Sequence, residues 1–197
     1  MKYQPQDHYF QKAKQEGYRA RSVYKLEAIQ DRFHLLRPGQ HVLDLGAAPG
    51  SFLQYISKIV GEKGQVIGVD LKPIKPFPEK NIQSFVADIL EEMSLEEELT
   101  KRGVRKLDVI VSDLAPSTSG IRFLDGGRSK ALNERVIGIA EHYLKRGGHL
   151  VLKLLPGLNE SDLTALMKPL FTQVRHLRPP AVRKSSGEWY LVGLQRL

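Results

Sequence analysis

Cysteine is absent from the 197-residue sequence. That excludes disulfides, thiolate-ligated zinc, iron–sulfur clusters and a cysteine nucleophile, and it suits a reducing compartment. Long apolar runs are absent too, and no stretch approaches the roughly 20 residues that cross a bilayer. The first residues, Met1-Lys2-Tyr3-Gln4-Pro5-Gln6-Asp7, carry no apolar stretch of a signal peptide. No His/Asp cluster has metal-ligand spacing. Acidic residues are outnumbered, with 22 Asp+Glu against 30 Lys+Arg and a formal net charge of +8. That imbalance favours a polyanionic partner, most often a nucleic acid, over a solvated cationic face.

What is present fits one soluble domain. Hydrophobic residues make up 41% of the chain, enough to furnish one core at this length. The expectation is a single domain over residues 1–197, with a basic N-terminal segment, about 1–20, suited to nucleic-acid binding. The basic residues crowd at the two ends: Lys12, Lys14, Arg19, Arg21 and Lys25 early, then Arg175, Arg178, Arg183 and Lys184 late. An acidic cluster, Glu91-Glu92 and Glu96-Glu97-Glu98, lies between them.

Hydrophobic periodicity sets the order of elements. The first residues read as polar and loosely attached. Val23, Leu26, Ile29 and Phe33 recur at helical spacing, and Pro38-Gly39 ends that element. His41–Leu45 is a buried strand, and Phe52, Ile56, Ile59 and Val60 form a helix face closed by Gly61. Gln65–Asp70 and Ile82–Val86 are further strands. Ser94 with Glu97 reads as a capping box opening a short helix. Leu107–Ser112 is an apolar strand that stops at Asp113. A longer helix carries Leu132, Val136, Ile139, Ala140 and Tyr143 and ends at Gly147-Gly148. His149–Leu154 is another strand, Ser161 can cap a helix, and Gln173–Arg178 and Trp189–Leu194 close the domain. Strands alternating with helices predict an α/β domain with a mostly parallel sheet.

In such sheets ligands bind beyond the carboxyl ends of the strands. Asp44, Asp70, Asp113 and Lys153 all stand at or near strand ends. Asp44-Leu45-Gly46-Ala47-Ala48-Pro49-Gly50 joins a strand to a helix, and its small residues permit a sharp turn and close approach of a ligand. Ala48 replaces the second glycine of a dinucleotide fingerprint and no Gly-Lys-Ser/Thr follows, so a pyrophosphate cradle is disfavoured. Asp70, about 20 residues on, is placed to accept hydrogen bonds from ribose hydroxyls. Asp88 is a candidate acceptor for an adenine amino group, or a simple turn former. Lys153 sits inside Val151-Leu152-Lys153-Leu154, where a charge is costly unless paired. It reads either as a structural partner of Asp113 or as a lysine that serves as a base.

These residues carry a resemblance. The chain resembles the FtsJ/RrmJ-type RNA 2′-O-ribose methyltransferases, which use S-adenosylmethionine. Five stretches carry it in order: Arg21-Ser22-Val23-Tyr24-Lys25-Leu26, the glycine loop 44–50, Ser112-Asp113-Leu114-Ala115-Pro116 with Ser119-Gly120, Val151-Leu152-Lys153, and Arg183-Lys184-Ser185-Ser186-Gly187-Glu188-Trp189-Tyr190. It implies a Rossmann-like S-adenosylmethionine-dependent fold with a mostly parallel seven-stranded sheet flanked by helices. The catalytic tetrad of the family falls on Lys25, Asp113, Lys153 and Glu188. Donor contacts fall on Gly50, Phe52, Asp70, Asp88 and Asp113, with Gly46 in the same loop. Phe52 stands where many relatives have Trp, Leu155-Pro156-Gly157 replaces Phe-Gln-Gly, and Ser117-Thr118 departs from an Asn-containing loop.

The resemblance further implies a cytoplasmic, monomeric enzyme that methylates a uridine of large-subunit ribosomal RNA, with no metal and no membrane partner. Arg19, Arg21, Arg183 and Lys184 are the expected grips on RNA phosphates. Three readings compete with it. They are a tRNA 2′-O-ribose methyltransferase of the same family, a non-catalytic RNA-binding or ribosome-assembly factor, and a nucleotide-dependent oxidoreductase. A broken tetrad would favour the assembly factor, and all four residue types are present. The oxidoreductase needs the glycine fingerprint that is missing.

Overall fold

The computed structural model describes residues 8–115, 122–156, 160–183 and 186–197. Pro116, Ser117, Thr118, Ser119, Gly120, Gly157, Lys184 and Ser185, named in the motifs above, lie outside the described residues. The chain runs α1 (His8–Gln15), α2 (Val23–Phe33), β1 (His41–Leu45), α3 (Ser51–Val60), β2 (Gln65–Asp70), β3 (Ile82–Val86) and α4 (Glu92–Lys101). It continues with β4 (Leu107–Ser112), α5 (Arg122–Tyr143), β5 (Leu144–Leu154), α6 (Glu160–Met167), β6 (Phe171–Leu177) and β7 (Trp189–Arg196).

The seven strands form one sheet in the order β3-β2-β1-β4-β5-β7-β6. Pairing is parallel from β3 through β5, and β7 runs antiparallel to both of its neighbours. Helices cover both faces, so the central strands are buried on both sides and read as near-continuous apolar runs. One core holds Leu26, Ile29, Ile56, Val66, Val111 and Val192, largely between the sheet and α2/α3. The other holds Ile67, Leu95, Ile110, Val136, Leu163 and Leu191 on the α4/α5/α6 side.

The strand order reverses between β1 and β4, which places a crevice at their carboxyl ends. Backbone bonds fix its rim. Gly46 N–H donates to Val69 O at 2.9 Å and Asp113 N–H to Leu45 O at 3.1 Å.

Several element boundaries differ from the periodicity. The segment expected to be loose contains α1, whose Ala13 packs with Val23, Tyr24 and Ala181. The long helix ends at Tyr143, not at Gly147-Gly148, because β5 begins at Leu144 and continues through the glycine pair. The Lys145 ammonium meets Asp108 at 2.7 Å there, next to a register irregularity between Leu107 and Val109. Helix α4 starts at Glu92 with Glu91 as its cap residue, so the expected Ser94–Glu97 capping box does not open it. Ser161 likewise falls inside α6, which begins at Glu160.

Candidate active site

The loop after β1 is shaped by close backbone approach. Gly46 has φ +81°, and a Cβ there would stand 3.0 Å from Leu114. Gly50 has φ +107°, and a Cβ there would collide with the Phe77 ring. The Asp70 carboxylate ties this loop to the next one. Its two oxygens accept from Ala48 N–H and Lys72 N–H, each at 2.9 Å. Asp88 turns the chain after β3 by accepting from Leu90 N–H at 2.9 Å. Phe52 is buried at the start of α3, in the core beneath the loop.

Asp44, the last polar residue of β1, is fully buried. Neither of its carboxylate oxygens has a hydrogen-bond partner among the described residues. Burial pushes its pKa well above the usual carboxylate range, and the charges of Asp113 and Asp70 push it further. Three carboxyl groups thus gather where β1, β2 and β4 end. Such a crevice repels pyrophosphate and suits a ligand with positive charge and ribose hydroxyls. S-adenosylmethionine has both: a sulfonium, an ammonium and two ribose hydroxyls. Asp44 and Asp113 would hold the cationic end of such a donor and Asp70 its ribose.

Beside the crevice, four residues distant in sequence converge. Lys25, on the first turns of α2, places Nζ 2.5 Å from Glu188 Oε2 and 4.0 Å from Asp113 Oδ1. Lys153, near the end of β5, places Nζ 3.2 Å from the same Asp113 oxygen and donates to the Asp113 backbone carbonyl. Lys153 is only 6% exposed, so these contacts are what make its position tolerable. The four residues of the expected tetrad are therefore brought together, with the Nζ atoms of two lysines around one carboxylate.

A fifth group belongs with them that the sequence reading missed. Tyr190 is fully buried, and its hydroxyl donates to Asp113 Oδ1 at 2.7 Å. Burial, followed by the Asp113 charge, raises the phenol far above its ordinary pKa and keeps it a donor. It lies opposite Lys153 in the β5–β7 register. The available signal was strand alternation from Glu188, which puts Tyr190 on the same side of the chain.

The basic candidates separate. Arg21 donates to Ala181 O, and the Arg183 charge, after burial, lowers its pKa, so the two guanidinium groups lie near each other. Arg21, Lys25, Arg183, Ser186 and Glu188 line a cavity of about 220 Å³ that opens beside the tetrad. Arg19 lies elsewhere, hydrogen-bonded to Pro49 O at 3.1 Å, Lys75 O at 2.7 Å and Pro76 O at 2.8 Å. Among the described residues no group of three or more His, Asp or Glu side chains could hold a metal ion. No described helix is long and apolar enough to cross a membrane.

Comparison with known proteins bears on this geometry. A model of the FtsJ-like methyltransferase family matches residues 18–196. The chain belongs to that family. It is 47% identical over 197 residues, the whole of both chains, to the ribosomal RNA large subunit methyltransferase E of Bdellovibrio bacteriovorus. It is 44% identical over 194 residues to the protein of the same name from Myxococcus xanthus, covering 98% of this chain and 91% of that one. Among solved structures, a ribosomal RNA methyltransferase from Plasmodium falciparum superposes with a TM-score of 0.80 at 28% identity, covering 91% of this chain and 99% of that one. The chain is thus an S-adenosylmethionine-dependent methyltransferase of the FtsJ-like family, and its sheet is the mostly parallel seven-stranded one expected.

Proposed function

We propose that the protein methylates a ribose 2′-hydroxyl of large-subunit ribosomal RNA, at a uridine, with Lys153 as the base. The single observation that carries this reading is the meeting of Lys25 and Lys153 at Asp113, with Glu188 on Lys25, at the edge of the acid-lined crevice. The donor supplies a methyl carbon on a sulfonium, which leaves its bonding pair on sulfur when displaced. The protein's tasks are to hold the hydroxyl in line and to take its proton. A ribose hydroxyl is a poor nucleophile until that proton leaves. Lys153 Nζ accepts it in the neutral form and becomes an ammonium facing Asp113. Lys25, paired with Glu188, orients the hydroxyl oxygen. Much of the acceleration comes from alignment, because two bound reactants attack as one.

Arg21 and Arg183 line the cavity beside Lys25 and are assigned to phosphates flanking the target ribose. The segment of about residues 1–20, including α1 with Lys12 and Lys14, is assigned to RNA binding as well. The names of the relatives support large-subunit RNA as substrate. The reading includes action as a monomer in the cytoplasm.

The test is methyl transfer in vitro to large subunits from a strain lacking the enzyme, to the free RNA and to tRNA, followed by nucleotide mapping. The expected product is one ribose-methylated uridine in large-subunit RNA. Base methylation, or methylation confined to tRNA, overturns the reading.

A further inference from the structure

We infer that Arg19 is a positioning residue for the methyl-donor site, clasping the two loops that wall it, rather than a grip on RNA. Three sets of contacts carry the inference. First, the guanidinium bridges the two loops: it donates to Pro49 O in the glycine loop and to Lys75 O and Pro76 O in the loop that follows Asp70. Second, its carbon lies 3.6 Å from the centroid of the Phe77 ring, the ring that closes against Gly50. A Cβ on Gly50 would also stand 3.1 Å from Arg19 Nη1 and 3.3 Å from Ile74. Third, the backbone that carries Arg19 is stitched to α3. Arg19 N–H donates to Gln54 Oε1 at 2.9 Å, and Gln54 Nε2 donates to Gly17 O at 3.0 Å.

The chemistry suits a clasp. A guanidinium offers five donors in a planar fork and a face that stacks on an aromatic ring. Here the fork reaches carbonyls of two segments and the face covers Phe77. An ammonium is a point charge and cannot do both. Asp70 joins the same two loops from the sheet side, through Ala48 N–H and Lys72 N–H. Arg19 joins them from the helix side. The glycine loop is thereby held between α3, the Phe77 loop and the segment leading into α2. That segment carries Lys25 a few residues later, so the donor wall and the tetrad share one mechanical support.

The inference rests on the donor lying between these loops, as proposed for Asp70 and Asp44. Its test is calorimetric binding of S-adenosylmethionine without RNA, beside the salt dependence of RNA binding. Arg19→Ala is expected to weaken donor binding about tenfold or more, with the loss appearing in KM for the donor rather than in kcat. Arg19→Lys is expected to recover little of it. Phe77→Ala should weaken the donor comparably, and the double variant should be no worse than the weaker single one, since both remove one clasp. The slope of log RNA affinity against log salt should stay that of the wild type in Arg19→Ala. Should Arg19→Ala unfold, Arg19→Lys and Phe77→Ala decide the matter by the same measurements. Donor affinity unchanged in the Arg19 variants overturns the inference, and a slope shallower by about one unit would return Arg19 to a phosphate contact. Wild-type protein that fails to bind the donor defeats the donor reading itself, which separates the two failures.

Discussion

The Tyr190 hydroxyl and Lys153 Nζ converge on one atom, Asp113 Oδ1, at 2.7 Å and 3.2 Å. The phenol therefore shares the carboxylate that holds the proposed base. Tyr190→Phe removes that share without opening a cavity. Asp113 then draws Lys153 more tightly and away from the substrate hydroxyl. The expected result is a kcat lower by about tenfold, the worth of one hydrogen bond to a charged group. Burial and the Asp113 charge keep the phenol protonated far into the alkaline range. The wild-type pH–rate profile should therefore show no ionisation of the phenol that is missing from the variant. Profiles of kcat from both proteins check this, and an alkaline fall in rate present only with Tyr190 would count against it.

Placing Asp44 against the donor predicts that it trades stability for donor binding. Its folded-state pKa is raised by burial and by Asp113 and Asp70, so the native protein keeps a proton that the unfolded chain releases. Stability then falls as pH rises from about 4 toward the folded pKa, because the unfolded state binds fewer protons across that window. Asp44→Asn removes the effect. Its melting temperature should exceed the wild-type value by a margin that grows with pH over that window. Donor affinity should move the other way and fall by about 1–3 kcal/mol, the range for a lost buried polar contact. Thermal scans across pH and donor calorimetry read the two effects. Equal melting temperatures at every pH, or undiminished donor binding, would refute the assignment.

The architecture was legible because the central strands of a parallel sheet are apolar on both faces and end at polar residues. β1, β2, β3 and β4 have the bounds that their runs suggested. The four tetrad positions were legible through motif order: Lys25 lies on α2, Asp113 follows β4, Lys153 lies near the end of β5 and Glu188 precedes β7. What escaped were features set by tertiary contact. Helix α1 is polar and short, and it is held by the burial of Ala13 against Tyr24 and Ala181, which no local period announces. Glycines at 147 and 148 look like a helix stop, yet β5 passes through them with Gly147 at φ +78°. Tyr190 reads as an ordinary core aromatic until the β5–β7 register sets it opposite Lys153. Charge groups Arg19 with the candidate RNA-binding residues, and its carbonyl partners, up to 57 residues away, appear only in the fold.

Asp70 has a structural task beside the one proposed for it on the donor ribose. Its carboxylate already fastens Ala48 N–H and Lys72 N–H, one oxygen to each. Asp70→Ala loses both anchors together with the ribose acceptor. Donor binding should weaken by about 1.5–3 kcal/mol, the range for charge-assisted hydrogen bonds. Stability without donor should also drop, by about 1 kcal/mol, as the loops lose their tie. Asp70→Asn keeps one acceptor oxygen and should fall between. Unchanged calorimetric affinity in Asp70→Ala would remove this residue from the donor site.

The proposed chemistry turns on Lys153. It is nearly buried, faces Asp113 Oδ1 and donates to the Asp113 carbonyl, so two roles are open to it. As a base it must lose and regain a proton during each turnover. As a scaffold it needs only to remain a cation beside Asp113. Lys153→Ala removes both roles and should abolish methyl transfer while leaving donor affinity nearly unchanged, because the lysine acts on the RNA hydroxyl. Lys153→Arg separates them: a guanidinium keeps the charge and can still pair with Asp113, but it does not deprotonate in a protein and cannot accept the proton. The base role therefore predicts that Arg is as inactive as Ala, and the scaffold role predicts substantial activity. Single-turnover transfer with saturating donor and RNA isolates the chemical step from binding and release. Melting temperature and donor calorimetry on each variant show that the fold and donor site survive. Loss of the chemical step in both variants with donor binding intact places the proton on Lys153, whereas near wild-type turnover in Lys153→Arg leaves the lysine as an electrostatic support for Asp113 and requires another acceptor for the proton.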